Sequence, residues 1–262
     1  MMHVATVVMR LMLVLCLSLD YLGIANVHAH DLRGNVAKIR PAVVGIGTHL
    51  TTRSPASQLM GTGFVVGDGT FIATNSHVVP EKLNEERLEK VVVFVGRGTK
   101  PKVFPATLVE RDRHHDLALL KVKQKILPAG LTLGESDEVS EGTSIMFTGF
   151  PIGAILGLYP ASHHGIVSAI TPVATPANSA DGLSAQRIRM LRDRYDVFQL
   201  DATASPGNSG SPVIEVENNK VIGIVNQVFV KKSRENVLSD PSAITYAIPS
   251  KYLKIMLKKA GQ

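Results

Sequence analysis

Between residues 40 and 250 the apolar positions fall in short β-branched runs, each closed by Gly, Pro, Asn or Asp. The runs are "AVVGIGTHL", "GTGFVVGDG", "TFIATNSHVV", "KVVVFVG", "FPATLVERD", "DLALLKV", "SIMFTGFP", "HHGIVSAI", "DVFQLD", "GSPVIEV", "KVIGIVNQV" and "AITYAIP". Runs of this length, with turn residues at regular spacing, predict strands of an all-β sandwich or a pair of barrels; βαβ units would need helical patterns between them. The segment "QKILPAGLTLGESDE", residues 124–138, carries turn residues near the middle and is the expected linker between two halves of about six strands each.

Helical patterns are few. "HDLRGNVAKIR" before Pro41 predicts a short N-terminal helix, and "PSKYLKIMLKKA" predicts a terminal one, with a Ser cap and an apolar stripe of Leu253, Met256 and Leu257. A third, "LSAQRIRMLRDRY" from Leu183 to Tyr195, lies inside a long connection, and long connections in compact domains tend to be functional.

The first thirty residues change the picture of the compartment. Arg10, the apolar run Leu11 to Leu19 and small residues before Ala25 and Ala29 form the outline of a secretory signal peptide. A run of roughly nine residues is too short for a membrane span, which needs ~20, and Asp20 interrupts it. Cleavage after Ala29 fits best, after Ala25 less well. The expected division is a signal at 1–29, one β-rich half at 30–128, and a second half with the terminal helix at 129–262. The expected location is exported, periplasmic or secreted, with no stable membrane insertion after cleavage.

The chain of 262 residues is long enough to bury a core without metal or disulfide, and no repeat of about 20 to 50 residues is present. Its single cysteine, Cys16, lies in the leader, so export brings no disulfide framework. The net charge of +6 is spread along the chain, and the cluster "LKIMLKK" reads as a solvated face; no nucleic-acid partner is expected.

Three separated stretches carry candidate chemistry. In "IATNSHVV" His77 follows a β-branched run at a strand end; in "RDRHHDLALLKV" Asp116 opens an apolar strand; in "DATASPGNSGSPVIE" Ser209 lies between glycines. Taken singly, each has a plain reading: a polar residue leaving the core, a turn residue, a tight turn before a strand. Taken together, in the order His, Asp, Ser, they supply the base, the carboxylate that holds the imidazole and the nucleophile of acyl transfer. The glycines let the N–H groups of Gly207 and Ser209 turn toward a carbonyl oxygen.

These stretches resemble the HtrA (Deg) serine proteases of the trypsin fold. The resemblance rests on "GTGF" at Gly61, "TNSHVV" at Thr74, "HDLALLKV" at His115, "GIVSAI" at Gly165, "DATASPGNSGSP" at Asp201, "VIGI" at Val221 and "YAIPS" at Tyr246. It implies two six-stranded antiparallel β-barrels with a short C-terminal helix, one in each half of the chain. It implies a triad of His77, Asp116 and Ser209 between the barrels, with an oxyanion hole of the Gly207 and Ser209 N–H groups. The implied partners are polypeptide substrates, exported or misfolded, and homotrimers are frequent in the family. No cofactor or metal is implied.

The chain departs from the family pattern in informative places. Ser211 stands where HtrA proteins have a second glycine, as in glutamyl endopeptidases, yet Asn226 and Gln227 occupy the strand that would carry the acid-reading histidine. Thr203 stands where trypsin-like enzymes bind Lys or Arg with Asp. A neutral pocket of Thr203, Ala204, Ser205, Asn226, Gln227 and Val228 implies small or medium apolar side chains. Asn208 replaces the Asp that pairs with a new N-terminus in zymogens, so signal removal is not expected to switch activity on. The connections 171–196 and 230–242 are candidates to gate the oxyanion hole. The sequence ends directly after the terminal helix, so a protease domain without a PDZ domain is expected.

Two other classes fit the residues less well. A catalytically silent binding module of the same fold would usually have lost a triad member. A metal site of His114, His115, His163 and His164 is disfavoured, because adjacent strand histidines point to opposite faces.

Overall fold

The computed structural model describes residues 31–126, 129–151, 157–173, 194–226 and 244–262. Contacts divide the chain into a short unit ending at Asp31 and one compact unit, Leu32–Gln262. The leader, residues 1–30, and most of the expected helix 183–195 lie outside the described residues; Arg194 and Tyr195 are described and are not helical.

The compact unit opens with α1 (Leu32–Ile39), which runs into a 3₁₀ turn at Arg40–Ala42. Six strands follow: β1 (Val43–His49), β2 (Ser57–Val66), β3 (Phe71–Asn75), β4 (Lys90–Val95), β5 (Lys102–Asp112) and β6 (Leu117–Val122). They close a barrel in the order β1-β2-β3-β6-β5-β4. A second closed barrel, β10-β11-β12-β9-β8-β7, is built from β7 (Ser144–Gly149), β8 (Ala161–Pro172), β9 (Asp196–Asp201), β10 (Pro212–Glu215), β11 (Val221–Asn226) and β12 (Ile244–Pro249). All pairings are antiparallel, and α2 (Ser250–Lys259) follows. The fold is the expected pair of six-stranded barrels with a terminal helix.

The continuous apolar runs are explained by burial on both strand faces. Successive side chains leave a strand on opposite sides. Val65, Ile72, Ala118 and Leu120 join Val44, Ile46 and Val93 inside the first barrel. Their neighbours Phe64, Val66, Phe71, Ala73, Leu117 and Leu119 face outward into a core shared with Met146, Ile214, Ile224 and Ile248 of the second barrel. The second barrel has its own filling of Ile145, Phe147, Val167, Leu200, Val213 and Val225. The ends of β2, β3 and β6 are thereby held against the second barrel by buried apolar surface.

The connection between the barrels is stitched to both. Leu131 N–H donates to Val65 O at 2.8 Å, and Gly134 N–H donates to Val221 O at 2.8 Å. The expected Ser cap of the terminal helix is not made: Ser250 is buried and donates its hydroxyl to Gly134 O at 3.1 Å, so it ties α2 to this connection. Leu253, Met256 and Leu257 form the buried stripe of α2, as the periodicity predicts. Among the described residues no helix is long and apolar enough to cross a membrane.

Candidate active site

His77 lies on a 3₁₀ turn, Ser76–Val78, immediately after β3, and Asp116 lies immediately before β6. These strands pair with Asn75 opposite Leu117, so the two residues emerge side by side from one barrel edge. Asp116 has φ +53°, a left-handed backbone that few residues other than Gly adopt and Asp tolerates. Its carbonyl accepts Ser76 N–H at 3.0 Å and Asn75 Nδ2 at 3.1 Å.

The carboxylate of Asp116 then faces His77 twice. Oδ1 accepts the His77 backbone N–H at 2.9 Å and Oδ2 accepts ring Nδ1–H at 2.6 Å. An ionised carboxylate only accepts, so the proton belongs to Nδ1 and the lone pair to Nε2. That is the tautomer a general base requires.

Two more residues complete this frame, and of these Arg111 is not singled out by any motif of the sequence. Asn226, fully buried at the end of β11, donates Nδ2 to Asp116 Oδ2 at 2.7 Å. The sequence places Asn226 among the residues of the substrate pocket; in the structure its amide meets the Asp116 carboxylate. Arg111, on β5, encloses the histidine turn with its guanidinium. Nη1 donates to Ser76 O at 2.9 Å and Val79 O at 3.1 Å, and Nη2 donates to Val79 O at 3.1 Å and Pro80 O at 3.3 Å. The histidine turn is held by Asp116 on one side and by Arg111 on the other.

Ser209 lies on the loop before β10, and the first barrel packs against this loop. Thr62 N–H of β2 donates to Ser209 O at 2.9 Å. Gly61 makes the approach possible: a Cβ there would meet Val78 Cγ2 at 2.8 Å and Ser209 O at 3.1 Å. A side chain at Gly61 would push the histidine turn and the serine loop apart. Gly210 has φ +89°, and a Cβ on it would stand 2.0 Å from Thr62 O. Ser209 itself is 6 % exposed, and among the described residues no hydrogen bond joins its hydroxyl to His77. Such bonds are often long without substrate.

The amides of the serine loop divide into two sets. Asn208, Gly210 and Ser211 donate to Ser205 O, Val225 O and Asn208 O, each at 3.0 Å. Among the described residues the N–H groups of Gly207 and Ser209 have no such partner. They are the two expected oxyanion donors.

Of the expected pocket, Thr203 is exposed while Ala204 and Ser205 are half-buried. Ala204 N–H donates to Thr245 Oγ1 at 2.9 Å, which anchors this segment to β12. Gln227 and Val228 lie outside the described residues, as do most of the connections 171–196 and 230–242. Asn208 and Ser211 are fully buried, and neither side chain has a polar partner among the described residues.

The four histidines of the alternative metal site are engaged elsewhere or separated. His115 Nδ1 donates to Asp112 Oδ2 at 2.6 Å and its ring stacks on Tyr252, 3.8 Å between centroids. His114 meets the Tyr195 ring edge-on. On the other barrel His163 stacks on Phe147 and His164 Nε2 pairs with Ser144 Oγ at 3.0 Å. Beside Asp116, burial holds the Tyr195 phenol above its ordinary pKa, and the Asp116 charge adds to the effect. Tyr195 therefore stays neutral and donates to His114 O at 3.3 Å.

The chain is similar to known proteins of one family. The family model described as "Trypsin-like peptidase domain" matches residues 61–224. A probable periplasmic DegP-like serine endoprotease of Halomonas elongata is 32% identical over 173 residues, 66% of this chain and 30% of that protein. One from Chlamydia pneumoniae is 33% identical over 190 residues, 72% of this chain and 32% of that protein. The chain thus spans about a third of the length of these relatives. A solved HtrA-type protease, AlgW with a tripeptide, superposes with TM-score 0.59 at 26% identity, covering 86% of this chain and 62% of that one.

Proposed function

The chain belongs to the trypsin-like peptidase family and is a homologue of the DegP/HtrA proteases, and from that premise we propose that it is a serine endopeptidase working through His77, Asp116 and Ser209. Ser209 Oγ attacks the scissile carbonyl while His77 Nε2 takes its proton. The tetrahedral oxyanion is met by the N–H groups of Gly207 and Ser209. His77 then protonates the leaving amine, and water repeats the sequence on the acyl-enzyme. Asp116 stays ionised throughout and stabilises the imidazolium.

The observation that carries this reading is the short bond from His77 Nδ1 to Asp116 Oδ2, 2.6 Å, which fixes the basic nitrogen opposite the carboxylate. The unpartnered amides on the serine loop support the oxyanion assignment. A neutral segment at Thr203, Ala204 and Ser205 supports a preference for small or medium apolar side chains over Lys or Arg. The leader pattern of residues 1–29 and the relatives' description as periplasmic support action on exported polypeptides.

Hydrolysis of an unfolded protein substrate tests the reading. Wild type should cleave and Ser209→Ala should not, with loss on the order of 10⁶ in turnover. Binding of the same substrate without Ser209-dependent cleavage would instead identify a silent module.

A further inference from the structure

Thr62 stands at the second position of "GTGF", on β2, and is fully buried. Each of its polar groups is engaged. Its hydroxyl donates to Gly207 O at 2.7 Å and accepts Phe150 N–H at 3.0 Å. Its N–H donates to Ser209 O at 2.9 Å, and its carbonyl accepts the Thr74 hydroxyl at 2.7 Å. One side chain of the first barrel therefore touches the serine loop and the end of β7 in the second barrel.

The consequence follows from peptide planarity. In a trans peptide the C=O and the next N–H point opposite ways. Drawing Gly207 O toward Thr62 turns Asn208 N–H away, into its bond with Ser205 O. Drawing Ser209 O toward Thr62 turns Gly210 N–H away, onto Val225 O. The Pro206–Gly207 and Asn208–Ser209 peptides, on either side of the Gly207–Asn208 peptide, are the ones whose N–H groups, of Gly207 and Ser209, are left for a ligand. Gly207, at φ +101°, is the place where this pattern is easiest to lose, because glycine rotates with little steric penalty.

We propose that Thr62 is a positioning residue for the oxyanion site: its hydroxyl holds the Gly207–Asn208 peptide so that the amides of Gly207 and Ser209 face the substrate carbonyl. The proposal rests on the serine-endopeptidase reading above. Thr62 is closed to solvent, so removing its hydroxyl strands the buried Phe150 N–H and releases Gly207 O from its side-chain anchor.

The test compares Thr62→Val, of the same shape without the hydroxyl, with Thr62→Ser, which keeps it. The full chain is assayed for kcat and KM on a chromogenic peptide and for inhibition by a peptide boronate of the same sequence. Thr62→Val should lower kcat by about 10- to 100-fold, less than or equal to removing an oxyanion donor, and weaken the boronate in proportion. KM should change little. Thr62→Ser should restore kcat to within about threefold, the hydroxyl being what counts. A folded Thr62→Val with wild-type kcat, or a Thr62→Ser as impaired as the valine variant, overturns the proposal. If Thr62→Val does not fold, Thr62→Cys, a poor donor of serine's size, is set against Thr62→Ser, and equal kcat for the two overturns it. A wild type without Ser209-dependent turnover overturns the endopeptidase reading and this proposal with it; with an active wild type, the Thr62 variants alone decide.

Discussion

Asn226 Nδ2 and His77 Nδ1 converge on one oxygen, Asp116 Oδ2, at 2.7 and 2.6 Å. The amide comes from β11 of the second barrel and the ring from the edge of the first, so the carboxylate is fixed by both barrels at once. Removing the amide takes away one of the two donors to Oδ2 and leaves the carboxylate held, among the described residues, by the ring and backbone N–H groups of His77. Asn226→Ala should lower kcat about 10- to 100-fold, the worth of one hydrogen bond to a charged group. Asp116→Asn should cost on the order of 10⁴, because it stabilises the wrong tautomer. Steady-state kinetics on one peptide substrate checks both.

Arg111 and Arg53 are matched clamps in different places. Arg53 Nη2 donates to Thr48 O, Thr48 Oγ1 and Ala56 O, away from the site. Arg111 grips the turn that carries His77. Arg53→Met should destabilise by about 1–2 kcal/mol and leave kcat at the wild-type value. Arg111→Met should destabilise similarly and also lower kcat about tenfold with KM unchanged, the pattern of a mispositioned base. Thermal melts beside kinetics separate the two.

The Ser211 hydroxyl is fully buried and has no partner among the described residues. A stranded hydroxyl costs about 1–3 kcal/mol, so Ser211→Ala should raise stability by about 1 kcal/mol, with a melting temperature about 2–4 °C higher. A loss of stability would show that the hydroxyl has a partner in solution.

His163 offers a pH dependence with a definite sign. Burial holds its imidazole below the ordinary pKa, and Nε2 has no partner among the described residues. In the unfolded chain the ring protonates near its ordinary value of about 6.5. As pH falls below that value the unfolded state takes up the proton first, so stability declines until the lower folded pKa is passed. Above it the term is absent. His163→Phe should therefore lose less stability than wild type between about pH 7.5 and 5.5 in chemical denaturation, with equal loss contradicting the assignment.

All twelve strands were legible, because β-branched runs with turn residues between them leave no other regular structure. Which face each strand turns to the seam was not, since "FIATN" and "LALL" are buried on both sides and carry no alternation. His77, Asp116 and Ser209 were readable as separate motifs, and the folded chain brings His77 onto Asp116. The bond of Asn226 to Asp116 was not legible, because a polar residue ending an apolar strand looks the same whether it lines a pocket or braces a carboxylate. Thr62 and Arg111 were invisible as partners: the hydroxyl of one reaches a carbonyl 145 residues away, the guanidinium of the other a turn 35 residues away. Ser250 satisfied a local capping rule, but a carbonyl of the inter-barrel connection took its hydroxyl.

In the proposed mechanism Ser209 is a nucleophile activated by His77 on Asp116. Labelling with a fluorophosphonate, which reacts only with an activated serine, measures this directly. Wild type should become covalently labelled, Ser209→Ala should not, and His77→Ala should slow labelling by on the order of 10⁴ or more. Labelling that is absent from wild type, or that persists in Ser209→Ala, would contradict the account.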